Sequence, residues 1–176
     1  MGRALRLARA AGERGEVPVG AVVVLRGRPI GRAANAPIRR RDPTAHAEVQ
    51  ALRRAAKTLG NYRLNGATLY TTLEPCLMCV GAMVQARIGR LVFGARDLRV
   101  GALSILRHRR LAGLNHRFAI TAGVRASEGA LLLQEFFRQR RGSRRLAGGT
   151  AAEIQSRPRR GTEVVATGPP RKRVGA

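Results

Sequence analysis

The only two cysteines of this chain stand three apart in Pro75-Cys76-Leu77-Met78-Cys79, and His46-Ala47-Glu48 lies thirty positions before the first of them. If these groups serve one site, the fold must bring two helix starts together. Thr44 to Ala56 is rich in Ala, Leu and Arg and reads as a helix beginning near His46, after Asp42-Pro43-Thr44. Residues two apart do not share a helical face, so His46 and Glu48 can act together only off the N-terminal end of that helix. Cys76 and Cys79, at i and i+3, do share a face, and Pro75 suits a first helical position. Two positive helix ends would then converge on one point and favour thiolates there.

One imidazole and two thiolates are three ligands for Zn²⁺, which leaves the fourth tetrahedral position for water, the arrangement of a catalytic site. The ion would lower the pKa of that water from about 15.7 to roughly 7. Glu48 is the candidate proton shuttle, with direct ligation as its competing role. Other readings of the same residues are a redox Cys-x-x-Cys pair, which would leave His-x-Glu unexplained, and a structural zinc completed by His108 or His116. Glu74 could replace Glu48 as the acid, or support the following helix start through its charge.

His-x-Glu with Pro-Cys-x-x-Cys resembles the signature of the zinc-dependent nucleobase deaminases. Further segments resemble the bacterial tRNA-specific adenosine deaminases: Glu16 to Ala21, Asp42 to Glu48, Asn61 to Leu64, Thr72 to Cys76 and Arg87 to Asp97. The resemblance runs from about residue 3 to residue 141. It implies hydrolysis of the wobble adenosine of a tRNA anticodon to inosine, with release of ammonia. It also implies one zinc on His46, Cys76 and Cys79, Glu48 as shuttle, Asn35 on the flipped nucleotide and Asp97 against the RNA sugar-phosphate. Phe137 and Arg138 would touch the anticodon stem-loop. The family further suggests a homodimer, and an arginine tRNA with adenosine at the wobble position as substrate. On their own, Asn35 before Ala36-Pro37 reads as a turn residue and Phe137 as core. The first helix starts later than is usual in the family.

Two alternatives remain: a deaminase of the same fold acting on free guanine, cytosine or a nucleoside, and an idle RNA-binding protein with a structural zinc. The segments around Asn61 and Asp97 speak against the first. Glu48, which would have no structural duty, speaks against the second.

The expected elements are a helix over 3–14, strands Val19–Leu25 and Pro29–Ala33 about a turn at Arg26-Gly27-Arg28, and the metal helix over 46–58. A strand Thr68–Thr71 and a helix Pro75–Gln85 follow, then a strand Leu91–Gly94 and a short helix near Leu103–Leu106. A strand Phe118–Thr121 and a helix Ser127–Arg140 complete the set. Such alternation predicts a mixed sheet covered by helices, and the family implies a three-layer α/β/α sandwich of the cytidine deaminase type with five strands. One deaminase domain is expected over 1–141.

From Gly142 the chain is Arg, Gly, Ser, Pro and Thr with few large apolar residues, which predicts a basic, disordered tail over 142–176, either an RNA-binding arm or a neutral extension. The formal net charge of +24 suits a polyanionic partner. Its near-exclusive use of Arg, with Lys57 and Lys172 the exceptions, also reflects coding bias. The longest aliphatic run, Ala21 to Leu25, is far below the roughly 20 residues of a membrane span. The Arg-rich start resembles a mitochondrial presequence but runs without a linker into the domain, so it reads as the first helix of a cytoplasmic bacterial protein.

Overall fold

The computed structural model describes residues 1–105 and 115–147. It contains α1 (Gly2–Glu13), β1 (Gly20–Leu25), β2 (Arg28–Ala34), α2 (Pro37–Arg40), α3 (Ala47–Leu59), β3 (Thr68–Leu73), α4 (Leu77–Gln85), β4 (Arg90–Ala95), α5 (Ala102–Ile105), β5 (Ala119–Thr121) and α6 (Ala126–Ala147). The five strands form one mixed sheet in the order β2-β1-β3-β4-β5. β1 is antiparallel to both β2 and β3, whereas β3, β4 and β5 are mutually parallel. Four strands therefore run one way and β1 alone runs back. The C-terminal ends of β2, β3, β4 and β5 share one edge of the sheet, where open α/β folds place their sites.

The expected layers are present. α3 packs on β1 and β2 and touches α4, while α1 and α6 touch each other and cover β1, β3 and β4. Val23, Ala33, Leu69, Leu91 and Phe93 from the sheet meet Ala51, Leu52 and Ala55 of α3 and Met83 of α4 in a single cluster. Small residues set the spacing of α3: a Cβ at Gly31 would collide with the Ala51 carbonyl and with Ala55, so helix and strand backbones approach directly. No described helix is long and apolar enough to cross a membrane.

Several boundaries differ from the sequence reading. The β1–β2 turn is two residues, Arg26 and Gly27, with φ of 49° and 75°, the positive-φ pair of a tight hairpin, so Arg28 already pairs with Leu25. The pairing slips between Val23 and Val24, whose partners are Gly31 and Pro29, and Ile30 is left as a bulge. The last helix does not stop near Arg140 but runs to Ala147, because Ser-Arg-Arg-Leu-Ala after Gly142 are acceptable helix formers and one glycine costs only about 1 kcal/mol. The remainder of the expected tail, and His108, lie outside the described residues.

Candidate metal centre

The apparent conflict between His46 and Glu48 is resolved by the backbone at the start of α3. His46 is the N-cap residue, extended at φ −67° and ψ 148°, so it precedes the helix and points independently of it. Asp42 Oδ1 accepts the Thr44 N–H at 2.8 Å and its hydroxyl at 2.7 Å, and the His46 N–H donates to the Thr44 carbonyl at 2.7 Å. The approach to the helix is thus a chain of local turns. Those bonds to Thr44 also hold the Asp42 carboxyl below its usual range.

The second helix start differs from expectation by two residues. Cys76, not Pro75, borders the helix: it is the N-cap of α4, extended at φ −74° and ψ 171°, with Leu77 the first helical residue. Cys76 forms an antiparallel bridge with Gly101, and the Ala102 N–H donates to the Pro75 carbonyl at 2.8 Å. These pairings keep the Pro75-Cys76 backbone extended and delay the helix.

His46, Cys76 and Cys79 converge as predicted, with all their ligand atoms within 4.8 Å of one another. His46 Nδ1 lies 3.6 Å from each sulfur, and the sulfurs are 3.6 Å apart. A tetrahedral zinc with Zn–S near 2.3 Å and Zn–N near 2.0–2.1 Å would hold two sulfurs about 3.8 Å apart and each sulfur about 3.5 Å from the nitrogen. The triangle has those edges, and both cysteines are free. A redox pair would not require an imidazole equidistant from its sulfurs. His116 takes no part, since its Nε2 lies 2.7 Å from the Ile88 carbonyl.

Electrostatics make the same demand. Hydrogen bonds from Cys79 and His46 draw the Cys76 thiol down to about 4, so it ionises. Cys79, bonded to that thiolate and buried, is pushed far above the ordinary thiol range. The bond to Cys76 raises His46, against the effect of burial. A thiolate at Cys76 thus disfavours a second at Cys79, and a divalent cation among the three would favour both.

Glu48 is 4% exposed, and burial raises its carboxyl above the usual range, while its own N–H and His46 oppose the shift. Its carboxyl meets the Cys79 sulfur, so it borders the triangle without being one of its three corners. A carboxyl whose burial favours the protonated form suits acid–base work.

The loops around the triangle are fastened by three buried polar groups, of which the sequence reading marks only Glu74, and for other duties. Gln50 Nε2 donates to the carbonyls of Ala34, at 3.0 Å, and Ala45, at 2.8 Å, tying the end of β2 to the approach of His46. The buried Glu16 carboxylate accepts the N–H groups of Ile38 and Arg39, capping α2 just after Asn35. Buried Glu74 accepts the Asp97 N–H at 3.1 Å and so secures the loop after β4.

Asn35 and Asp97 follow β2 and β4 at the same edge of the sheet as the triangle. Asn35 is half-buried, its N–H bonded to the Val19 carbonyl, and its side chain makes no hydrogen bond among the described residues. Asp97 Oδ1 accepts the N–H groups of Arg99 and Val100, so part of its duty is to shape its own loop. Phe137 and Arg138 lie on α6, across the sheet from α3 and α4. Phe136 is the buried ring and Phe137, at 43%, the exposed one, the two in edge contact at 5.3 Å.

The MafB19-like deaminase family matches residues 1–141. A tRNA-specific adenosine deaminase of Haemophilus influenzae is 48% identical over 145 residues, 81% of this chain and 84% of that protein. A structure from work on A-to-I editing by tRNA:A34 deaminases at the wobble position of transfer RNA superposes with a TM-score of 0.73 at 48% identity, covering 76% of this chain and 97% of that one. The guanine deaminase of Nitrosomonas europaea is more distant, at TM-score 0.66 and 28% identity over 77% and 81% of the two chains.

Proposed function

The chain belongs to the tRNA-specific adenosine deaminases and to the MafB19-like deaminase family, and from that premise we infer that it hydrolyses the wobble adenosine of a tRNA anticodon to inosine and ammonia. The observation that carries this reading is the His46, Cys76 and Cys79 triangle with the Glu48 carboxyl beside it, in a chain 48% identical to such an enzyme. Zinc is the ion the triangle fits: His46 Nδ1 and the two sulfurs would hold it. Bound there, zinc supplies activation of water at neutral pH.

The chain's own residues do the rest. Glu48 takes one proton of the attacking water and delivers it to the purine N1, then takes the second from the hydroxyl now on C6 and delivers it to the departing amine. The water oxygen remains on C6 and the nitrogen leaves as ammonia. Asn35, whose amide makes no hydrogen bond among the described residues, holds the base or its ribose. The loop begun by Asp97 lies against the sugar-phosphate, and Phe137 and Arg138 reach the anticodon stem. An unstacked loop adenosine spares the few kcal/mol of flipping that a paired base would cost.

The acting form is a homodimer. Leu77 and Met78 on the first turn of α4, with Leu98 and Val100 on the adjoining loop, expose apolar side chains beside Cys76, Leu98 to 81%. Burying them between copies would border each site with its partner. The compartment is the cytoplasm and the cognate substrate the arginine tRNA that begins its anticodon with adenosine. Residues 1–141 are the deaminase domain, and the basic residues that follow add attraction for RNA.

Purified protein incubated separately with an adenosine-wobble anticodon hairpin, free guanine and free cytidine tests the reading. Ammonia release, with inosine in the RNA, is expected from the hairpin alone. Equal turnover of guanine would transfer the protein to the free-base deaminases.

A further inference from the structure

Segment 26–63 carries ten Arg or Lys residues against two acids, Asp42 and Glu48. Glu48 is buried at the metal centre, and Asp42, close enough to Arg53 and Arg40 to feel their charge, offsets one unit of the excess at most. The neighbouring Glu16 carboxylate is also spent, on the backbone of α2. Ten basic residues against these carboxylates still leave the segment strongly positive.

The face is also concave. A cleft of about 540 Å³ between β2 and α3 is lined by Arg32, Arg54 and Lys57 with Pro29, Ile30 and Gly31 among its walls. A second, of about 420 Å³, is lined by Arg40, Arg53, Arg54 and Lys57. The two share Arg54 and Lys57, so they form one groove across the outer surface of α3. Arg54 is fixed there, donating to the Arg32 carbonyl at 2.5 Å.

Resting on the deaminase reading above, we propose that this groove binds the phosphate backbone of the same RNA whose adenosine enters the metal centre. His46 caps the N-terminus of α3, and Arg53 to Lys57 lie seven to eleven residues further on, about 10–16 Å at 1.5 Å per residue. An RNA with one base at the triangle carries its own phosphates within that reach. Closely spaced guanidinium groups suit bidentate phosphate contacts.

The test removes three charges from the groove, R32Q/R54Q/K57Q, and three from exposed positions on and just after α1, across the sheet, R3Q/R6Q/R14Q. R40Q/R53Q, measured alongside, serves if the groove triple does not fold, as judged by circular dichroism and zinc content. Each protein is assayed for KM and kcat on the anticodon hairpin and the whole tRNA, and for RNA binding against salt. The groove variants are expected to raise KM at least tenfold on the whole tRNA with kcat unchanged. The triple should also reduce the slope of log affinity against log salt by about 2–3, at roughly 0.7–0.9 per phosphate lost. A parallel loss on the hairpin would place the contacts within the anticodon arm and support the proposal equally. Equal effects of groove and α1 variants would overturn it in favour of diffuse attraction. Competition by polyglutamate as strong as by RNA of the same charge would overturn it in favour of an acidic protein partner. Wild-type protein that binds RNA but forms no inosine would refute the deaminase reading, while the binding comparison still decides the groove.

Discussion

Replacing Glu48 with Gln separates the two roles this carboxyl could play. The side chain is 4% exposed, and its carboxyl lies against Cys79, one of the three corners of the triangle. Gln keeps the length and a carbonyl oxygen but cannot receive a proton, so only the shuttle is removed. General acid–base catalysis is worth about 10²–10⁴, which at 1.36 kcal/mol per tenfold is about 2.7–5.4 kcal/mol of transition-state stabilisation. Single-turnover inosine formation on the hairpin should fall within that range, while zinc per chain by elemental analysis stays at the wild-type value. Glu48→Asp retains the acid but withdraws it by one methylene, and a displacement of about 1 Å can cost 10²-fold, so it too should be impaired while retaining zinc. Zinc lost with activity in Glu48→Gln would show that the carboxylate is a ligand and refute the assignment. Undiminished single-turnover rates would show that another group moves the proton.

Cys76→Ala and Cys79→Ala should each lose both zinc and deamination, because the described residues offer no fourth protein ligand to compensate; elemental analysis of freshly purified protein reads this, and a full equivalent of zinc in either variant would count against the triangle. Gly101→Ala places a Cβ about 2.5 Å from Glu74 Cδ and should push the Asp97 loop off its anchor. We expect KM for the hairpin to rise about tenfold with zinc content unchanged, and an unaltered KM would detach that loop from the substrate. Thr71 is fully buried, and its hydroxyl has no hydrogen-bond partner among the described residues. Thr71→Val, of nearly the same shape, should therefore stabilise the protein by about 1–3 kcal/mol in urea unfolding; destabilisation would reveal a partner such as a bound water.

Sequence reading located the chemistry better than the framework that holds it. The grouping of His46, Cys76 and Cys79 with Glu48 beside them was legible because ligand type and spacing are local properties, and the order of elements followed from hydrophobic pattern and turn residues. The fasteners were not legible, because each acts over distance: Glu16 on α2 across 22 and 23 residues, Gln50 on Ala34 across 16, Glu74 on Asp97 across 23. In the sequence Glu16 and Gln50 are ordinary polar residues and Glu74 reads as an acid or a helix-start charge, and only burial marks the three as fasteners. The start of α4 escaped for the same reason, since the pairing of Cys76 with Gly101 overrides the preference of Pro75 for a first helical turn. The length of α6 escaped for a different one: Gly142 reads as a stop, yet one glycine is too weak to end a helix whose next residues favour it.

The β2 border of the sheet has a consequence for solubility. An outermost strand with bare N–H and C=O groups invites a second chain to pair with it, a route to aggregation. β2 offers little to pair with: Pro29 has no N–H, Ile30 breaks the register, and Arg54 occupies the Arg32 carbonyl. At the opposite border β5 is only three residues long, too short to seed a stable ribbon. Copies of this protein can therefore crowd together without sheets fusing edge to edge, and whatever association they form is left to surfaces of helix and loop.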